Sequence, residues 1–306
     1  MKAHTQKIKE FIRYLTVRCP RWWKNIKVCL FHVIPHHAIS TFSYWLARIE
    51  ITFVKDFLIT VYTRYFNINL EDALIIDQNK YKTFNEFFTR EINPVLRPID
   101  PDTFVSPCDG TITQAGKMQS GEIIQAKNKN YTVSDLLASN NHWSNIFSQG
   151  NFCTIYLSPR DCHRIYMPDD GELIEMFHVP GRLFSVAKYS TEILPKLFVK
   201  NERVISVFKN KNGYFALIMI GAINVGSISM QWCGTVTPRK RALKSWRYIE
   251  DQARSAMTTL KKGDEMGRFN IGSTVVVLNN YQNFIEQKDI TIDGKLIKFG
   301  QPLSLS

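Results

Sequence analysis

The sequence predicts an α+β protein in which an N-terminal region of amphipathic helices precedes a mainly antiparallel β core. Three observations carry this expectation. Phe53/Val54, Phe57/Leu58, Val61/Tyr62 and Tyr65/Phe66 recur at helical spacing and give a wide apolar face. From residue 111 onward the chain changes to short apolar runs of strand length. No regular long helices separate those runs, which disfavours a doubly wound parallel sheet. Between the two regions Pro94, Pro98, Pro101 and Pro107 punctuate the chain and mark the expected boundary.

The elements follow in order. Residues 1–30 carry eight basic side chains against the single acid Glu10, interleaved with Phe11, Tyr14, Trp22 and Trp23. A helix around Ile39 to Ile49 follows Pro35 and carries Phe42, Trp45 and Leu46. A second helix spans the aromatic repeat at 53–66. These helices either lie in a membrane interface with their apolar faces down or pack as a hairpin on the core. Thr83 and Glu86 form a capping box, so a short helix is predicted over 84–90. Strands are expected at 111–115, 122–126, 152–157, 172–179, 204–208, 214–220, 223–229, 274–278 and 291–298. Helical segments are expected at 133–138 and within 242–260. The longest apolar stretch, Phe215 to Ile228, is too short to span a bilayer and contains Asn224. Lys7, Lys9, Glu10 and Arg13 interrupt any early apolar run, so no secretory signal is expected.

Composition narrows the function classes. The chain has 306 residues, 44% hydrophobic and 22% charged, which excludes disordered and collagen-like classes. At this length folding buries roughly 75% of the surface of the unfolded chain, without need of a disulfide or metal staple. Six cysteines show neither C-x-x-C nor zinc-knuckle spacing and suit a reducing compartment. His32, His36 and His37 lie near Pro35 with no carboxylate to complete a ligand set, so no metal is expected. The net charge is +12, concentrated in the first 30 residues. Basic residues mixed with Trp and Phe suit an anionic membrane surface. Trp22, Trp23, Trp45, Phe53 and Phe57 are the expected membrane contacts, with a second basic patch at Arg239, Lys240, Arg241, Lys244 and Arg247. No nucleic-acid-binding motif accompanies the charge, so no nucleic-acid partner is expected.

P-loop, G-x-G-x-x-G, H-E-x-x-H and G-x-S-x-G patterns are absent. Three polar clusters remain: Ser106-Pro107-Cys108-Asp109-Gly110, Ser158-Pro159-Arg160-Asp161-Cys162-His163-Arg164, and Gly267 to Thr274 with Gly272-Ser273 at its end. Together they supply an acid, an imidazole and a hydroxyl. Two uses stay open on the residues alone. In a peripheral membrane serine hydrolase, His163 would deprotonate Ser273 while Asp109 or Asp161 oriented the ring. Alternatively, Gly272 has no side chain, which lets the Ser273 hydroxyl approach its own preceding carbonyl and supports self-cleavage.

On these residues the sequence resembles the phosphatidylserine decarboxylases of the bacterial membrane-associated type. The match runs in one order through Ile34 to Ser40, Lys82 to Glu91, Arg97-Pro98-Ile99, the Ser106 and Ser158 clusters, and Val179 to Val186. It continues through Asn201 to Val204, Gly226-Ser227-Ile228 and Gly263 to Thr274, covering roughly residues 30 to 302. The resemblance implies a proenzyme cut between Gly272 and Ser273. The β chain would be residues 1–272 and the α chain residues 273–306, with three regions at 1–30 (extension), 31–92 (membrane-associating helices) and 93–306 (catalytic). Ser273 would become a covalent pyruvoyl group that forms a Schiff base with phosphatidylserine and takes up the electrons left by departing carbon dioxide. Asp109 and His163 are assigned to activating Ser273, with Asp161 in support. Relatives commonly carry a second histidine three positions beyond His163, where this chain has Tyr166; His163 then serves both reactions, with His178 the alternative. The resemblance also implies a homodimer on an anionic phospholipid membrane, at the cytoplasmic face of the bacterial inner membrane.

Overall fold

The computed structural model describes residues 35–126, 129–223, 227–237, 242–248, 258–270, 273–281 and 294–303. The expectations for Trp22, Trp23, the basic extension, Arg239, Lys240, Arg241 and Gly272 fall outside them.

The N-terminal helices are α1 (His36–Leu46), α2 (Thr52–Phe66) and α3 (Phe84–Phe88). The two faces of α2 differ: one packs on the core and the other is left exposed. Ile59 is buried with Ile68, Tyr81 and Phe87, and Tyr62 and Phe66 pack on that cluster. Phe53, Phe57, Val61 and Tyr65 point outward, and α1 adds exposed Phe42 and Trp45. Among the described residues no helix is long and apolar enough to cross a membrane. Thr83 caps α3 by accepting from the Glu86 N–H, while the Glu86 carboxylate accepts from Lys82 N–H, one residue earlier than a regular box. His37 Nε2 lies 3.1 Å from the Gly181 carbonyl, and the buried His36 ring meets Phe184 edge-on, so α1 docks through its first turn.

The core is built from β1 (Gly110–Lys117), β2 (Glu122–Ala126), β3 (Lys129–Thr132), β4 (Asn151–Leu157), β5 (Arg164–Tyr166), β6 (Gly171–Val179), β7 (Arg203–Asn210) and β8 (Gly213–Gly221). It continues with β9 (Ile228–Met230), β10 (Gly234–Thr235), β11 (Lys244–Arg247), β12 (Thr259–Leu260), β13 (Glu265–Phe269), β14 (Ser273–Asn279) and β15 (Lys295–Ile297). The large sheet runs β11-β6-β7-β8-β14-β4-β1-β15, with β12 also on β6. A second sheet runs β10-β9-β13-β5, and β2-β3 forms a hairpin. Every pairing between named strands is antiparallel. The predicted α+β class with an antiparallel core is therefore what the chain adopts.

Strands β4, β7, β8 and β14 are buried on both faces along most of their length, which is why they read as continuous apolar runs. Lys244–Arg247 pairs with β6 as an exposed outer strand, and most of the segment 242–260 in which a helix is expected falls outside the described residues. Lys-Ser-Trp-Arg carries no apolar alternation, because its partner's backbone rather than its own side chains holds it in place.

Candidate active site

Strand register positions the candidate cleavage residue. Ser273 opens β14 between two neighbours, paired with Leu157 of β4 on one side and Gly221 of β8 on the other. Seven residue pairs, the first at Ser273 itself, run along each side down to Asn279. Upstream, Asn270 is tied down by its backbone N–H to the Ser227 carbonyl at 2.9 Å and by its side-chain amide to the Ser227 hydroxyl at 2.5 Å. Its Oδ1 accepts from Asn85 at 3.2 Å. The chain is thus gripped by the small sheet before the candidate cut position and by the large sheet after it.

His163 arrives from the loop after β4. Its Nε2 lies 3.2 Å from the carbonyl of Ser158, the residue that follows the register partner of Ser273. A carbonyl only accepts, so Nε2 carries the proton and Nδ1 the lone pair. The ring is fully buried and stacks on Phe88, with centroids 4.2 Å apart and planes at 24°. Burial, reinforced by the Arg90 charge, pushes the imidazole down to about 3, so it is neutral at physiological pH.

The helices hold this loop. Arg90 donates to the Arg160 carbonyl at 2.5 Å, Tyr62 of α2 donates to Pro159 O at 3.2 Å, and Arg164 Nε donates to Thr89 O at 2.9 Å. Asp161 closes the turn by accepting from the Ser158 N–H at 2.6 Å. Burial, followed by the nearby Asp109 charge, raises its carboxyl above the usual range.

Asp109 sits immediately before β1 and is 9% exposed. One oxygen accepts from Arg97 at 3.1 Å and the other from the Phe299 N–H at 2.8 Å. Arg97 also binds Asp72. Gly110 explains the Asp-Gly pair: a Cβ there would lie 2.6 Å from the Tyr156 carbonyl, so the glycine permits close strand approach rather than a turn.

The residues offered in place of a second histidine are also located. Tyr166 stacks on Phe299 at 4.0 Å, and its N–H donates to Pro107 O. Burial holds its hydroxyl far above the ordinary tyrosine value, which leaves it protonated. His178 is fully buried with Nε2 2.8 Å from Glu202. Its strand lies three strand spacings from β14, roughly 14 Å. The structure therefore gathers Ser273, His163, Asp109 and Asp161 at one end of the sheet, and leaves His178 apart. Trp45, Phe53 and Phe57 are exposed on α1 and α2. Phe88, Arg90, Arg97 and Asn270 lie within the matched motifs, but their supporting roles have no local signal, because their partners lie up to 185 residues away.

A family model described as phosphatidylserine decarboxylase matches residues 84–304, and one described as PSD matches residues 26–67. The chain is similar to the phosphatidylserine decarboxylase proenzyme of Alkalilimnicola ehrlichii, 45% identical over 260 residues, spanning 84% of this chain and 88% of the relative. The proenzyme of Azotobacter vinelandii is 42% identical over 81% of this chain and 86% of its own. That of Bordetella pertussis is 44% identical over 81% of this chain and 83% of its own.

Proposed function

Because the chain belongs to the phosphatidylserine decarboxylase family, we propose that its self-cleavage falls between Gly272 and Ser273 and is driven by His163 and Asp109. The chain is a self-processing enzyme that converts phosphatidylserine to phosphatidylethanolamine and carbon dioxide at a membrane. It uses a covalent pyruvoyl group formed from one of its own serines.

The observation that carries the residue assignment is the register of Ser273 against Leu157, with the neutral His163 ring bonded at the next residue. His163 Nδ1 takes the Ser273 hydroxyl proton, and the oxygen forms a bond to the Gly272 carbonyl carbon. The peptide C–N bond then breaks, the amine leaves on Ser273, and an ester joins the two chains. Loss of the Ser273 α-proton expels the Gly272 carboxylate. Water then replaces the nitrogen, which departs as ammonia, and the pyruvoyl group remains on a 34-residue α chain. Asp109, fixed by Arg97 and the Phe299 N–H, supplies the negative charge that steadies an imidazolium while the proton is in transit.

The site fits such a group. Position 273 begins a strand paired on both sides, so the α chain stays seated after the cut. Gly221, the partner on β8, places no side chain beside it. When formed, the group supplies an electrophilic carbonyl for the substrate amine and an electron sink for decarboxylation. His163 remains beside it to return a proton to carbon. The regions 1–30, 31–92 and 93–306, and a homodimer at the cytoplasmic face of the inner membrane, belong to the same proposal.

Intact-mass measurement tests it. Wild type is expected as two chains, the smaller with a blocked N-terminus, whereas Ser273→Ala stays full length and releases no carbon dioxide. Normal cutting of Ser273→Ala overturns the assignment. Sedimentation in detergent reports the dimer.

A further inference from the structure

The short helix α3 meets the small sheet at both of its ends. In its first turn Asn85 Nδ2 donates to Asn270 Oδ1 at 3.2 Å, just past the end of β13. Beyond its last turn the Thr89 carbonyl accepts from Arg164 Nε of β5, and Arg164 pairs with Glu265 of β13 at 2.6 Å. Between these two contacts Phe88 stacks on the His163 ring. The His163 carbonyl in turn accepts from the Phe269 N–H at 3.0 Å, one residue before Asn270. One helix therefore braces both the imidazole assigned to activating Ser273 and the chain that leads into the cut.

The direction of the Asn85 bond is fixed by its surroundings. Asn270 Nδ2 faces the Ser227 carbonyl at 3.2 Å, and a carbonyl only accepts. Asn270 Oδ1 is then the end turned to Asn85, so Asn85 is the donor. Asn85 Oδ1 is buried without a hydrogen-bond partner, so among the described residues the bond to Asn270 is the one polar contact of that side chain. The backbone anchors the helix separately: Asn85 N–H donates to Ala47 O at 2.8 Å, and Asn85 O accepts from Thr89 Oγ1 at 2.8 Å. A buried acceptor without a partner weakens a fold, so stability alone does not account for an asparagine at this position.

We propose that Asn85 is a positioning residue for the self-cleavage alone: through Asn270 it holds the chain entering the cut against His163, and it has no part in decarboxylation. The inference rests on the cut between Gly272 and Ser273. On that cut Asn270 stays near the tail of the β chain. The reactive group is carried instead by β14, which is seated by its own pairs to β4 and β8. Once the peptide bond is broken, the Asn85–Asn270 bond holds only the spent end. His163 differs, because it serves both reactions.

Cell-free synthesis of the full chain followed by intact-mass time points reads the cut, and carbon dioxide released per processed chain reads the second reaction. Asn85→Asp keeps the shape and removes the donor, whereas Asn85→Ala removes the amide altogether. Each is expected to be cut at least tenfold more slowly than wild type, yet to reach the wild-type kcat and KM within twofold per processed chain. Asn270→Ala, which loses the acceptor and the bonds to Ser227 and Ser229, is expected to be cut more slowly still. Cutting of both Asn85 variants, or of Asn270→Ala, at the wild-type rate overturns the inference and leaves the cut at Ser273 standing. A fall in decarboxylation per processed chain in both Asn85 variants also overturns it, as does a melting point well below the parent when they are placed on the uncut Ser273→Ala chain, since the contact would then be structural. Normal cutting of Ser273→Ala itself moves the cut to another bond, and the inference falls with it.

Discussion

Acid should unfold this protein in part through one imidazole. Burial and the Arg90 charge lower His163 from 6.5 to about 3 in the folded chain, while in the unfolded chain it titrates normally. The unfolded state therefore binds more protons between those values, so folding stability is full above pH 6.5 and is lost as pH falls toward 3. From pH 7.5 to pH 5 the loss amounts to about 2 kcal/mol from this group alone. Asp161 acts in the opposite sense, because its raised carboxyl favours the folded state in acid. The two effects are separated by comparing urea unfolding of the uncut Ser273→Ala chain with the same chain carrying His163→Gln. Asp161 is common to both. The first chain is expected to lose about 2 kcal/mol more than the second between pH 7.5 and pH 5. Equal losses would refute the burial argument and, with it, the neutral base assigned to the cleavage.

Three further outcomes follow from the geometry. Gly110→Ala forces a methyl to within 2.6 Å of the Tyr156 carbonyl, so a loss of about 2 kcal/mol and slower cutting are expected by thermal unfolding and a processing time course. Tyr166→Phe keeps the stack on Phe299 and removes only a protonated hydroxyl, so cutting within twofold of the wild-type rate is expected; a block would return the base to this position. Phe53→Ser with Phe57→Ser changes side chains that are 81% and 60% exposed, so stability is expected to hold while vesicle flotation falls at least tenfold.

How far the sequence discloses this molecule depends on whether the signal is local. Asn151–Leu157 and Gly213–Gly221 are legible because double-sided burial demands uninterrupted apolar side chains. Thr83 is legible as a cap because its partner is three residues away. Lys244–Arg247 is not, since an exposed outer strand is held by another strand's backbone and needs no pattern of its own. The three polar clusters are visible as compositional oddities, and the fold brings Asp109, Asp161 and His163 toward the end of β14. What composition hides is their support. Phe88 lies 75 positions before the ring it stacks on, and the Phe299 N–H that fixes Asp109 comes from 190 positions further on. Gly110 illustrates the same limit: Asp-Gly reads locally as a turn, whereas the approach of Tyr156 decides its role.

The double pairing of β14 has a consequence for the life of the enzyme. On the cut proposed here, the reactive group is carried by a backbone segment woven into the middle of a sheet, with a neighbour on either hand. A dissociable coenzyme that is spoiled can be exchanged for a fresh one from solution. This one has no such replacement, because extracting its strand dismantles the sheet. Each molecule therefore receives one reactive group at its birth, and chemical damage to that group retires the whole polypeptide. Catalytic capacity at the membrane is renewed only by the ribosome.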